Sequence, residues 1–428
     1  MPFETPLAPR RVAIVGGGIS GLAAAWLLKE EAHVVLYEAE PRFGGHARTV
    51  LAGRRGDQPV DTGFIVFNRV NYPHLCAMFE ALDVPVVESD MTFGASFGGG
   101  RFEYGLRSMA ALFAQKRNAC DPRFLRMVRD IVRFNARALA MAKEDDLPLG
   151  VFLDRMGTGA WFRDRYLLPL SGAIWSTPSR GILDFPARAL VRFFDNHALL
   201  HHSGQHQWLT VRGGSVEYVR RLQSALGRAG VDLRPGTPVR SIRRHPHGVE
   251  IMAGGEVEHV DEVILATHSD DALALLADPS ETERTALGSV RYQPNRAVLH
   301  ADASVMPRRR RVWSSWNYCE PAQPGERIDL TYWMNSLQPI PQDDPLFVTL
   351  NPTRPIRPEL VHDETTFRHP VYDLAAATGR ARIRAGNGQR RTWFCGAWMR
   401  DGFHEDGFAS AVDVVRGMAA ERRAWAAE

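Results

Sequence analysis

Apolar and polar positions change period several times along this chain, and each change marks an element. Residues 12–15 form an unbroken apolar run, the pattern of a parallel strand covered on both faces, and residues 22–29 continue as an apolar helix. Residues 33–37 are a second apolar strand. Further on, residues 209–215 lead into an amphipathic helix that runs through Leu226, followed by short strands at 231–233, 239–243, 249–252 and 257–260. Short strands parted by Gly-rich or polar turns predict a β-meander. Residues 261–267 return to a buried strand, 392–397 supply another, and a helix follows residues 402–407 to about Trp425. Between Pro122 and Lys143 the period is helical: Met127, Val128, Ile131, Phe134 and Leu139 mark one face, Arg126, Arg129, Arg133 and Arg137 the other.

Composition narrows the class. With 428 residues, 45% hydrophobic and 24% charged, the chain can bury large cores and predicts two domains. A net charge of +3 gives no reason to expect nucleic acid as a partner. Cys76, Cys120, Cys319 and Cys395 are too scattered for a zinc site or a disulfide framework, which suits a reducing cytoplasm. No apolar h-region precedes the first strand, and no run of 18 apolar residues could span a bilayer.

The first strand opens into Gly16-Gly17-Gly18-Ile19-Ser20-Gly21. Gly16, Gly18 and Gly21 have the spacing in which the first permits a tight turn, the second lets backbone approach a pyrophosphate, and the third packs helix on strand. The amides around Ile19 and Ser20 at the helix N-terminus complete an anion site. Glu38 follows Gly16 by 22 residues, at the end of the second strand, where a carboxylate beside Ala39 can hold a ribose diol. Strand, turn, helix and acid agree, so a plain structural turn is the weaker reading.

Arg42, Gly44, Gly45 and His46 follow at once, and this RxGG pattern resembles the amine oxidase and phytoene desaturase superfamily of FAD proteins. The resemblance implies noncovalent FAD. The fold it implies is α/β: a Rossmann-type, glutathione-reductase-like FAD domain with a β-meander (residues 1–65, 206–290 and 385–428), plus an inserted α+β substrate domain of the amine oxidase type (66–205 and 291–384). It also places Gly63 and Phe64 of the VDTGFIVFN stretch, Val239, Ala266, Thr267, Gly396, Phe403, His404 and Gly407 around the cofactor. With PLSGAIWSTP, VRFFDNHALL, WSSWNY, PLFVTLNP and FCGAW…GFHEDG, the chain is similar to bacterial flavin proteins related to the N-terminal domain of plant cyclopropane fatty acid synthases. Members are associated with membrane fatty acids, and one branch desaturates a methyl-branched acyl chain on the route to furan fatty acids. The chain departs from that group at Asp401, commonly aromatic there, and at Gln205-His206, commonly Arg-Pro.

Only one nucleotide fingerprint is present, because Gly98–Gly100 and Gly386–Gly388 lack the strand–turn–helix context. The substrate itself must therefore reduce the flavin, with oxygen or another acceptor reoxidising it. Desaturation also needs a proton acceptor, for which His404 and Glu405 are the candidates; Asp406 reads as a helix cap. His197, His201, His202 and His206 read as structural histidines, Trp313, Trp316, Tyr318, Tyr332 and Trp333 as core or tunnel aromatics, and Cys395 as an inert buried thiol. A lipid acyl chain is the expected substrate. A soluble amine oxidase, an isomerase, or a partner subunit of a lipid methyltransferase are the alternatives.

Residues 101–143 hold ten Arg or Lys against Glu103, Asp121 and Asp130, a local net of +7. Two readings stay open for the basic helix: contact with anionic lipid at the inner membrane face by an otherwise cytoplasmic protein, or an ordinary surface helix whose apolar side covers the core and whose arginines are solvated. Arg308–Arg311 could extend the same basic face.

Overall fold

The computed structural model describes residues 10–144, 147–175, 179–200, 204–320 and 329–425. Five strands, β1 (Arg11–Val15), β2 (His33–Tyr37), β3 (Asp232–Arg234), β4 (Glu262–Leu265) and β5 (Thr392–Phe394), pair in parallel in the order β3-β2-β1-β4-β5. Side chains alternate across a strand, so Val12 and Ile14 join one core while Ala13 and Val15 join another. The unbroken apolar run of β1 follows from that double burial.

The first core is closed by α1 (Ile19–Leu28), by the helix Val216–Arg228 and by the terminal helix His404–Trp425. The second is closed by an antiparallel meander of Val239–His245, Gly248–Ala253 and Glu256–Val260. Glu38 and Glu40 carbonyls accept from Thr237 and Gly236 amides at 2.8 Å each, stitching the meander's entry to the end of β2.

A second, seven-stranded sheet runs in the order Val361–Pro370, Tyr292–His300, Phe347–Leu350, Leu330–Trp333, Trp316–Cys319, Phe93–Phe97 and Phe102–Gly105. Its pairs are antiparallel except Trp316–Cys319 with Phe93–Phe97. The molecule is thus a mixed α/β fold with one parallel sheet and one large, mostly antiparallel sheet.

Two further elements join the core on the helical side of the parallel sheet. Helix α2 (Pro73–Ala81) buries Leu75, Met78 and Phe79 in the core of the parallel sheet's helical layer, because its apolar side matches Phe408 of the terminal helix. Trp208–Val211 pairs with Phe67–Asn68 and Val86–Ser89 rather than with the parallel sheet. Helix α3 (Pro122–Glu144) forms over the expected residues and turns Phe124, Met127 and Phe134 fully inward.

Candidate functional site

The glycine turn leaves little choice of residue at two positions. Gly16 has φ +105°, and a Cβ on Gly21 would lie 1.9 Å from the Gly16 oxygen. A Cβ on Gly18, in contrast, would meet nothing within 4 Å. No side chain caps the start of α1, whose first backward bond is Leu22 N to Gly18 O at 3.0 Å. The preceding amides and the helix dipole therefore face an open space, as an anion site requires. Glu38 holds this turn directly: its Oε2 accepts from Gly17 N at 2.7 Å and its Oε1 from Glu40 N at 2.8 Å. The second glycine pair closes on the first, with Gly44 N donating to Gly17 O at 2.8 Å. Arg42 donates to Gly45 O at 3.0 Å and Ala47 O at 3.1 Å, so its guanidinium stiffens that loop.

One cavity of about 1870 Å³ runs from this turn into the second sheet. Gly16, Gly18, Ile19, Ser20, Glu38, Ala39, Arg42, Gly44, Gly45, His46, Gly63, Phe64, Val239, Ala266, Thr267, Gly396, Phe403 and His404 all line it. Gly21, Gly407 and Glu405 lie behind the wall. Gly407 brings two helix starts together, since a Cβ there would lie 2.7 Å from Ile19 Cγ2 and 2.8 Å from Ser20 Oγ. The cavity exceeds the roughly 300–1,000 Å³ of an ordinary small-molecule site, leaving room for a second molecule beside a dinucleotide.

Histidines line the middle of the cavity. The His46 ring stacks on Phe367 at 4.9 Å and lies 5.6 Å from His369 and 6.0 Å from His268. Burial pushes His46 and His268 down to about 4 and His369 to about 3, so these rings are neutral near pH 7. His268 lies near Asp270 and Asp271, but both carboxylates are engaged by Arg368.

Neither candidate proton acceptor is free for that task. His404 is stacked on Phe64 at 3.9 Å and hydrogen-bonded through Nε2 to Tyr218 Oη at 2.7 Å. Burial holds its pKa near about 3, too weak a base at neutral pH. Glu405 points away from the cavity and caps α2, which has no cap of its own: it accepts from His74 N and Leu75 N, each at 3.0 Å, and pairs with His74 Nδ1 at 2.6 Å. Its role is structural because α2 docks its N-terminus there. Glu405→Ala should therefore cost about 2 kcal/mol, read as a lower melting temperature with an unaltered flavin spectrum; an unchanged melting temperature would contradict the cap.

Asp406 accepts from Phe403 N at 2.9 Å, as a cap does. Burial, then the Asp401 charge, pushes its pKa up to about 7. A raised carboxyl pKa favours the protonated folded form, so its contribution is fully present below about pH 4 and lost as pH rises through about 7. Asp406→Asn should flatten the fall in melting temperature between pH 5 and 8; parallel profiles for the two proteins would refute the assignment.

Beyond the histidines the cavity becomes an apolar arm. Val128 and Ile131 of α3, Leu170, Ile174, Phe193, Trp316 and Tyr332 form its walls. Of the wall residues between 91 and 199, with Trp316, Tyr332 and Leu350, none is acidic. Trp313 and Trp333 pack with Met306 and Phe347 in a separate core, and Tyr318 lies in the core that α3 shares with the seven-stranded sheet. His197 lines the arm with its ring 3.9 Å from Phe193 and Nδ1 3.0 Å from Phe193 O, while His206 is half-buried with Nε2 3.2 Å from Asn196 O; His201 and His202 lie outside the described residues. Both departure positions, Gln205 and Asp401, reach the lining. Cys395 is fully buried, its thiol pushed up to about 12 by desolvation, hence inert. Tyr372 was missed by sequence reasoning: it lines the cavity near Gly402, and its buried hydroxyl has no partner among the described residues. No local pattern distinguishes it from a core tyrosine.

The model of the family described as flavin containing amine oxidoreductase matches residues 19–305. Coproporphyrinogen III oxidase of Mycobacterium tuberculosis is 39% identical over 77 residues, which is 17% of this chain and 16% of that protein. The match thus spans less than a fifth of that relative's length. Among solved structures, the putative protoporphyrinogen oxidase from Exiguobacterium sp. 255-15 superposes with a TM-score of 0.73 at 18% identity, covering 96% of this chain and 99% of that one. A CLA-producing fatty acid isomerase from P. acnes gives 0.68 at 15% identity, covering 95% and 98%. At such identities these two likenesses are of fold.

Proposed function

This chain belongs to the flavin-containing amine oxidoreductase family, and we propose that it is an FAD-dependent oxidoreductase that desaturates a methyl-branched fatty acyl chain of a membrane phospholipid. FAD is the cofactor, and the lining fits it: the amides at the start of α1 and the open space at Gly18 suit the pyrophosphate, and Glu38, on the lining at the end of β2, would hold the ribose. When bound, FAD supplies a two-electron acceptor.

One observation carries the substrate reading: the arm is walled mostly by aliphatic and aromatic side chains, and its described residues between 91 and 199, with Trp316, Tyr332 and Leu350, include no carboxylate to receive an ammonium group, Asp401 joining the lining from another segment. Such walls bury a hydrocarbon chain favourably and exclude water from it. Desaturation would break two neighbouring C–H bonds and form one C=C bond, the two electrons and two protons ending on oxygen, as hydrogen peroxide, or on another two-electron acceptor. Because burial lowers the pKa of His46, His268, His369 and His404 far below neutrality, these rings are weak proton acceptors and orient their neighbours instead.

The fold likeness to a fatty acid isomerase favours a second reading, in which a double bond moves without net oxidation. Anaerobic mixing of the yellow protein with methyl-branched phospholipid in detergent micelles separates them. Stoichiometric flavin bleaching with a new C=C bond is expected. A shifted double bond with the flavin oxidised throughout would favour the isomerase, and bleaching by amines but not lipids would overturn both acyl readings.

A further inference from the structure

We propose that the mouth of the apolar arm docks on an anionic phospholipid surface, so that an acyl chain enters from the bilayer without crossing water. The inference rests on the acyl-chain reading above. Leu106, Met109 and Val132 line the cavity and are also exposed to solvent, by 37%, 69% and 50%, so they form its rim. Leu125, 45% exposed, lies on the same face of α3 as Arg129 and Val132, at the helical spacing of i, i+4 and i+7. This face is therefore apolar at the opening, although α3 already covers the core with its other side.

Around the rim the charge is one-sided. Arg107, on the rim itself, Lys116 and Arg133 have no acidic partner among the described residues, and Arg126 and Arg129 share the one buried carboxylate of Asp130, at 3.9 and 3.2 Å. An opening ringed by exposed apolar side chains and surplus cations matches acyl tails beneath anionic headgroups. The same surplus repels a second copy of the face, and no helix among the described residues could cross the bilayer instead.

The FAD-loaded protein should cosediment with vesicles containing phosphatidylglycerol, bind pure phosphatidylcholine vesicles weakly, and be released by salt. Lys116→Glu with Arg133→Glu, neither of which lines the cavity, should weaken vesicle binding about tenfold or more, with melting temperature, flavin spectrum and turnover in detergent micelles unchanged. Lys116→Gln with Arg133→Gln should fall between. Equal binding to both vesicle types, or undiminished binding by the glutamate variant, overturns the docking face. So does a dimer that the glutamate variant dissolves, since a second copy would then cover the rim. Charge-dependent vesicle binding without flavin bleaching in lipid micelles would support the docking face while removing the acyl substrate.

Discussion

Gly18→Val is expected to give a folded, colourless protein. The backbone at Gly18, φ −73° and ψ −175°, is open to any L residue, and a Cβ there touches nothing within 4 Å. Fold stability therefore has no stake in this glycine. The space it leaves belongs to the cavity beside the start of α1, where the diphosphate must approach within hydrogen-bond distance of backbone amides. Valine's two methyl groups fill that approach. FAD affinity should fall by at least about 100-fold, or ~2.7 kcal/mol, in a fluorescence titration, while the cofactor-free variant melts with the cofactor-free parent. A yellow variant would refute the site. Gly21→Ala makes the opposite control: its Cβ collides with the Gly16 carbonyl, so colour and stability should fall together.

Asp61→Ala should destabilise the molecule by roughly 3 kcal/mol. Asp61 is 1% exposed and joins three distant segments. Its carboxylate accepts from Ser215 N at 2.8 and 3.0 Å, Ser215 Oγ at 2.7 Å, Thr49 Oγ1 at 2.6 Å and Gln338 Nε2 at 2.9 Å. Alanine would leave the Ser215 amide and the Gln338 amide group buried without an acceptor, which costs more than the bonds contributed. Burial pushes the Asp61 pKa up to about 6 despite these donors, so the folded state's preference for this acid weakens as pH rises through that value. Urea unfolding at pH 7 checks the size; a change under about 1 kcal/mol would show that the donors find other partners.

The nucleotide half was legible because it is local: strand, turn, helix and Glu38 follow one another, and each needs only its neighbours to be read. The arm was not. Leu106, Ile131, Leu170, Phe193 and Tyr332 come from separate segments, and an apolar residue facing a cavity looks like one facing a core. Glu405 was misread for a related reason: its role depends on the N-terminus of α2, a segment more than 300 residues earlier. Helix α3 was read correctly in period. Its apolar side does cover the core, as the ordinary surface-helix reading requires, while Val132 and Leu125 remain outside.

The strand order β3-β2-β1-β4-β5 also sets a timetable for the nascent chain. Leaving the ribosome, β1 and β2 pair early, but β4 must wait for Thr392–Phe394 on its other edge, and α1 for the helix beginning at His404. Until then an unpaired parallel edge and the apolar flank of α1 stand exposed, the kind of surface chaperones cover. Cofactor capture is thus a late event in synthesis, and the long-range closure makes slow maturation a property of the topology itself.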